Sequence, residues 1–138
     1  KGEKITLLQE KPLYHFLILK PKNVAISTAW AYGQIAARNL YSNDLKRQRS
    51  LLSAFESGDA AKLAPHFFNS FEEALLPHYD YISSTKKLLR ELGALNALLS
   101  GSGSSVFGLF PDFNSLCHAS RHLRVHFSHT YHIFPSFP

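Results

Sequence analysis

Apolar positions in this chain fall in short blocks, and most repeat with the period of a helix. The first clear block does not. Leu13–Lys20 (LYHFLILK) is a nearly continuous apolar run ended by Pro21, the pattern of a buried strand. Lys4–Leu8 is a candidate short strand ahead of it. Tyr32, Ile35, Ala36 and Leu40 then recur at helical spacing. Ser27 or Thr28 can cap that helix, because a side-chain oxygen accepts from the unpaired amides of the first turn. Asp44 is a second cap, with Leu45, Leu52 and Phe55 along one side of the helix that follows. Gly58 closes it, since glycine tolerates the left-handed geometry past a helix end. Asp59 starts a short third helix that Pro65 is expected to disturb.

In the second half, Asn69-Ser70-Phe71-Glu72-Glu73 has the pattern of a capping box, with Asn69 or Ser70 at the cap and an acid three residues on. Pro77 is placed to open the next helix, being favoured at the first helical position. Ile82, Leu89 and Leu92 form its apolar stripe and Gly93 ends it. Two strands, Asn96–Ser100 and Ser105–Phe110, flank the turn Gly101-Ser102-Gly103. Asp112 or Asn114 begins a last helix reaching about Leu123, and His129–Phe134 favours a closing strand. This order predicts an α+β fold: a ferredoxin-like two-layer sandwich, with helices on one face of a largely antiparallel sheet.

Composition narrows the class. With 138 residues and 45% hydrophobic content, the chain suits one domain spanning 1–138 that buries a core without staples. Cys117 is the single cysteine, so no disulfide forms within the chain and a reducing, cytoplasmic setting is expected. No apolar run approaches the ~20 residues a bilayer span needs. Lys1–Lys11 lacks the pattern of a signal peptide, so no membrane partner is expected. The formal charge of +5 is spread over Lys46/Arg47/Arg49, Lys86/Lys87/Arg90 and Arg121/Arg124. Each cluster falls on a predicted amphipathic helix, and no basic–aromatic motif accompanies them, so nucleic acid is not an expected partner. A phosphorylated small molecule suits the same net charge.

Three segments are candidates for chemistry. Gly101-Ser102-Gly103-Ser104-Ser105 lets a chain or an anion approach the backbone closely, and its amides can point into one concavity. It lacks the Walker spacing, and a strand rather than a helix follows it, so a tight turn between strands accounts for it as well. Ser27–Tyr32 offers a hydroxyl-rich helix start with amides and positive dipole toward anions. Tyr32, one turn in, can stack on a base, an interaction worth about 1–3 kcal/mol; plain capping is the alternative. His118, His122 and His126 are spaced by four, followed by His129 and His132. The helix is expected to end near His122–Arg124 and no further ligand completes a set, so no metal site is assigned. No nucleophile–base arrangement stands out, and no catalytic residue is assigned.

Two segments together resemble a known family. Gly93–Leu109 (GALNALLSGSGSSVFGL) resembles the third, C-terminal glycine-rich motif of GHMP kinases, in the form found among diphosphocytidyl-methylerythritol kinases. Leu19-Lys20-Pro21 with Val24–Tyr32 (VAISTAWAY) is similar to a second segment of that subfamily. Gly2-Glu3 resembles the end of its GxGE junction. Phe68–Glu72 (FNSFE) resembles its FNDFE element, with Ser70 in place of the usual Asp. From Pro111 onward only the expected helix and strand are shared, and the His-rich tail departs from the pattern.

The resemblance implies the C-terminal domain of an enzyme that uses ATP and Mg2+ to phosphorylate the 2-hydroxyl of 4-diphosphocytidyl-2-C-methyl-D-erythritol, in the non-mevalonate isoprenoid pathway. It also implies that the ATP-cradling loop and the catalytic Lys and Asp lie in an N-terminal domain upstream of the residues present. No kinase activity is therefore expected from this chain alone. Tyr32 matches the position that stacks on the substrate cytosine, and Ser27 and Thr28 match positions lining the cleft near the cytidine. Gly101, Ser102, Gly103 and Ser104 match the motif that buttresses the phosphate region. Trp30 and Phe107 are assigned to the core. Another GHMP kinase, acting on mevalonate or homoserine, and a non-catalytic ferredoxin-like ligand-binding module remain the alternatives.

Overall fold

Four strands make one antiparallel sheet in the computed structural model, which describes residues 12–40 and 44–136. They are β1 (His15–Pro21), β2 (Asn96–Leu99), β3 (Val106–Phe110) and β4 (Tyr131–Pro135), in the spatial order β2-β3-β1-β4. With helices between β1 and β2 and between β3 and β4, this is the expected α+β, ferredoxin-like arrangement. The candidate strand Lys4–Leu8 and the Gly2-Glu3 match lie outside the described residues.

Side chains alternate across a strand, so the pairing of Leu17 with Gly108 and Leu19 with Val106 sets one face of the sheet. That face is the main core. Leu17, Leu19, Ala97, Leu99, Val106 and Phe110 pack there in one buried cluster. Over it lie α5 (Asp80–Glu91), through Ile82 and Leu89, and α6 (Phe113–His126), through Leu116, Ala119 and Leu123. Two further helices, α1 (Thr28–Ala37) and α4 (Ser70–Leu75), extend the cluster with Ala31, Ile35, Ala74 and Leu75. A buried hydrogen bond of 2.8 Å between Thr85 and the Tyr131 hydroxyl ties α5 to β4.

The opposite face is also partly covered, an addition to the expected single helical layer. The helices α2 (Leu45–Glu56) and α3 (Ala60–Leu63) bring Ala54 and Leu63 against Leu109, with Phe16 and Phe67 packed around them. Tyr14 anchors this unit by donating its hydroxyl to the Phe55 carbonyl at 2.6 Å. Leu45 and Leu52, expected on the packed side of α2, are exposed, because Ala54 and Phe55 make the contact.

Several boundaries differ from expectation. Pro77 does not open α5; it lies in the turn after α4, closed by the His78 and Tyr79 amides donating to the Leu75 carbonyl. Trp30 sits edge-on to both His78 and Tyr79, which holds that turn and delays the helix to Asp80. Trp30 is consequently at the surface, 37% exposed, rather than in the core. The last helix runs to His126, past Leu123, because Leu123 is buried and its carbonyl accepts from the Phe127 amide at 2.8 Å. His118, His122 and His126 thus share α6, and the rings of His122 and His126 are 4.6 Å apart. Among the described residues, no group of three or more His, Cys, Asp or Glu is arranged to hold a metal ion. No helix among them is long and apolar enough to cross a membrane.

Candidate functional site

The hairpin between β2 and β3 is closed by the Ser100 amide donating to the Ser105 carbonyl (2.8 Å) and the Gly103 amide donating to the Ser100 carbonyl (3.0 Å). Its two glycines serve different purposes. Gly101 has φ +55 and nothing within 4 Å of where a Cβ would stand, so the turn is open there. Gly103 has φ +88, and a Cβ would stand 2.9 Å from Ile26 Cδ1 and 3.3 Å from Leu99 Cδ1. Its missing side chain makes room for the core, not for a ligand. Tyr81 holds the next residue by donating its hydroxyl to the Ser104 carbonyl at 3.1 Å. Burial, with smaller contributions from Tyr79 and Tyr131, pushes that phenol up to about 12, so it remains a donor at neutral pH.

The start of α1 reaches this turn. Ser27 Oγ accepts from the Trp30 amide at 3.4 Å and caps the helix. That leaves Thr28 free to project outward, and its Oγ1 lies 3.3 Å from Ser102 Oγ, across 74 residues of sequence. The two segments singled out from sequence therefore meet. Tyr32, one turn further on, is 52% exposed and stands edge-on to Phe71 with ring centres 5.1 Å apart. With Arg47, Phe68, Asn69 and Phe71 it lines a hollow of about 380 Å3, where the Arg47 guanidinium lies 3.8 Å above the Phe68 ring. Ser27 and Thr28 are not part of that lining. Hydroxyls, an open aromatic face and a guanidinium suit the binding of a planar polar group and an anion more than proton transfer.

Two residues that hold the turn were not singled out as site residues. Among the described residues β2 is the edge of the sheet, so the outward N–H and C=O of Leu99 have no neighbouring strand there. Glu72 Oε1 accepts from the Leu99 amide at 2.7 Å, and the Asn69 side-chain amide donates to the Leu99 carbonyl at 2.7 Å and the Gly101 carbonyl at 2.8 Å. Asn69 Oδ1 also accepts from the Phe71 amide at 2.9 Å, which caps α4 as expected. The second half of the expected capping box does not form. Glu72 turns to the sheet instead and pairs with Lys86, both side chains being largely buried. A local capping pattern and this long-range clamp use the same residue types at the same spacing, so the sequence carried no signal separating them.

Residues 36–127 match the family model described as GHMP kinases C terminal. A 4-diphosphocytidyl-2-C-methyl-D-erythritol kinase of Lachnospira eligens is 38% identical over 126 residues, covering 89% of this chain and 42% of the relative. The same-named enzyme of Gloeobacter violaceus is 37% identical over 114 residues, covering 81% of this chain and 38% of the relative. The chain thus spans about two fifths of these curated relatives. A crystal structure of 4-(cytidine 5'-diphospho)-2C-methyl-D-erythritol kinase superposes with a TM-score of 0.75 at 23% identity, covering 97% of this chain and 46% of that one. L. major mevalonate kinase superposes with a TM-score of 0.69 at 18% identity, over 90% of this chain and 42% of that one. At these identities the two structures establish the shared fold.

Proposed function

This chain belongs to the GHMP kinases, matched over their C-terminal domain, and from that membership we propose that it is the substrate-side domain of a kinase acting on 4-diphosphocytidyl-2-C-methyl-D-erythritol. In this reading the whole protein transfers a phosphoryl group from ATP to the 2-hydroxyl of that substrate, in the non-mevalonate isoprenoid pathway. ATP, its Mg2+ and the catalytic groups belong mainly to the N-terminal domain, the partner of this one. The observation that carries the reading is the contact between Thr28 and Ser102, with the exposed Tyr32 ring one helical turn away. It supports a single surface built from the helix start and the glycine turn. Tyr32 stacks on the cytosine, Ser27 and Thr28 line the cleft near the cytidine, and Gly101, Ser102, Gly103 and Ser104 buttress the phosphate region from the C-terminal side.

Positioning and electrostatic stabilisation do most of the work in phosphoryl transfer, which makes a substrate-holding domain chemically meaningful. Removing the Tyr32 ring should therefore cost binding rather than chemistry. In the intact protein, Tyr32→Ala is expected to raise KM for the cytidine substrate about tenfold, in line with the ~1–3 kcal/mol of a base–aromatic stack. KM for ATP should stay put. Because Tyr32 is half exposed, the fold should survive, and an unchanged substrate KM would remove the stacking role. A second expectation concerns the chain by itself: incubated with ATP, Mg2+ and substrate, it should give no turnover. Measurable product would overturn the assignment of the chemistry to the other domain. A mevalonate- or homoserine-type kinase is the competing reading, supported only at the level of fold; it predicts no effect of Tyr32 on a cytidine ligand.

A further inference from the structure

The histidines of α6 stand outside every role assigned above. Residue order led that helix to end near His122–Arg124, which would leave His126 in the turn beyond it. The structure carries α6 to His126, so His122 and His126 lie one helical turn apart on the same side. Their ring centres are 4.6 Å apart and the rings are tilted by 46°. Phe127 stands beside His122 with ring centres 6.3 Å apart, which limits where that imidazole can swing. Among the described residues the two rings touch each other and Phe127, and no hydrogen bond or ion pair engages their nitrogens. Neither histidine lines the hollow beside Tyr32.

Neutral imidazole is a ligand for divalent zinc, copper and nickel. With metal–nitrogen bonds of about 2.1 Å, two imidazoles side by side on one ion have ring centres roughly 4.5–5 Å apart. The observed separation of 4.6 Å falls in that range, so one ion fits between the rings without a change in the helix. The site also lies at the C-terminal end of α6, where the helix dipole favours a cation. Two arginines oppose this. Arg124 is on the far side of the helix from both histidines, reaching Ser120 Oγ at 3.5 Å, which leaves Arg121 as the nearer charge in sequence. Residues 113–138 contain no aspartate or glutamate, so water fills the remaining positions on the ion. That donor set does not suit Mg2+ or Ca2+, which take oxygen ligands from carboxylates and carbonyls. We propose that His122 and His126 together bind one divalent transition-metal ion of the zinc, copper and nickel class. The inference rests on α6 alone and does not require the kinase reading.

The test is a calorimetric titration of the full chain with Ni2+. One saturable site is expected, with affinity at least tenfold weaker in H122Q and in H126Q. His126 is exposed, so H126Q should keep the wild-type circular dichroism. H132Q, which removes a histidine from β4, should bind as wild type. H126Q/R124H restores the number of histidines but sets the new one across the helix from His122, so it should not recover the lost affinity. A millimolar excess of Mg2+ should leave Ni2+ binding unchanged, whereas Zn2+ should compete. The proposal falls if binding does not saturate, if H126Q binds as tightly as wild type, or if H132Q loses as much. Recovery in H126Q/R124H would overturn the shared-ion geometry, and displacement by Mg2+ would overturn the metal class.

Discussion

Glu72→Ala should destabilise the chain by about 3–5 kcal/mol, the cost of leaving one partner of a buried ion pair behind. The Lys86 and Glu72 side chains are only 15% and 12% exposed, so little water reaches the ammonium once the carboxylate is gone. The same substitution strips the Leu99 amide of its acceptor at the sheet edge, and an unsatisfied buried donor costs about 1–3 kcal/mol on its own. The two losses share one side chain and are not additive. Glu72→Gln keeps an oxygen for Leu99 but gives up the charge, so it should recover part of the loss. Urea unfolding followed by circular dichroism measures both, with an unchanged m-value as the check that the two-state comparison holds. A loss below about 1 kcal/mol for the alanine variant would mean the pair behaves like an ordinary surface salt bridge.

Gly103→Ala is the second large effect, expected at about 2–4 kcal/mol from left-handed backbone strain and overpacking together. The added methyl meets Ile26 Cδ1 at 2.9 Å, and φ is +88. Leu99 Cδ1 at 3.3 Å and the Tyr81 hydroxyl at 3.4 Å stand around the same point, so the methyl is crowded on three sides. Gly101→Ala is the internal control. It has φ +55 but no atom within 4 Å, so it should show only the backbone component, about 1 kcal/mol. Equal losses at the two glycines would refute the packing argument. If the proposed kinase reading holds, Gly103→Ala in the intact protein should also lower kcat/KM, since a shifted turn moves Ser102 from Thr28, and a displacement near 1 Å can cost on the order of 100-fold.

Much of the local structure was readable from residue order. Asp44 caps α2 through the Arg47 amide at 3.0 Å, Asp59 caps α3 through the Ala61 amide at 2.9 Å, and Asp112 caps α6 through the Ser115 amide at 2.8 Å. The Lys62 amide, with that of Ala61, holds the Asp59 carboxyl below the usual range, and the Ser115 amide does the same for Asp112. Gly58 and Gly93 end helices at φ +70 and +98, as their placement implied. The strand before Pro21, the hairpin around Gly101–Gly103 and the α+β order were legible as well. The substrate roles of Ser27, Thr28 and Tyr32 came from family resemblance, and they stand as proposals for the experiments above.

What the chain's order determined by itself is whatever is completed within about one helical turn: caps, stops, the strand-length apolar run and the alternation that assigns each strand a face. A capping side chain and the amide that donates to it lie two or three residues apart, so no other part of the molecule is needed to satisfy them. Tertiary structure decided the rest. Glu72 finds its acceptor role 27 residues away, and Thr28 meets Ser102 across 74. Pro77 yields to a turn held by Trp30, and α2 buries Ala54 while leaving Leu52 exposed. Each of those outcomes depends on where the sheet sets one element against another, a distance that local propensity does not encode.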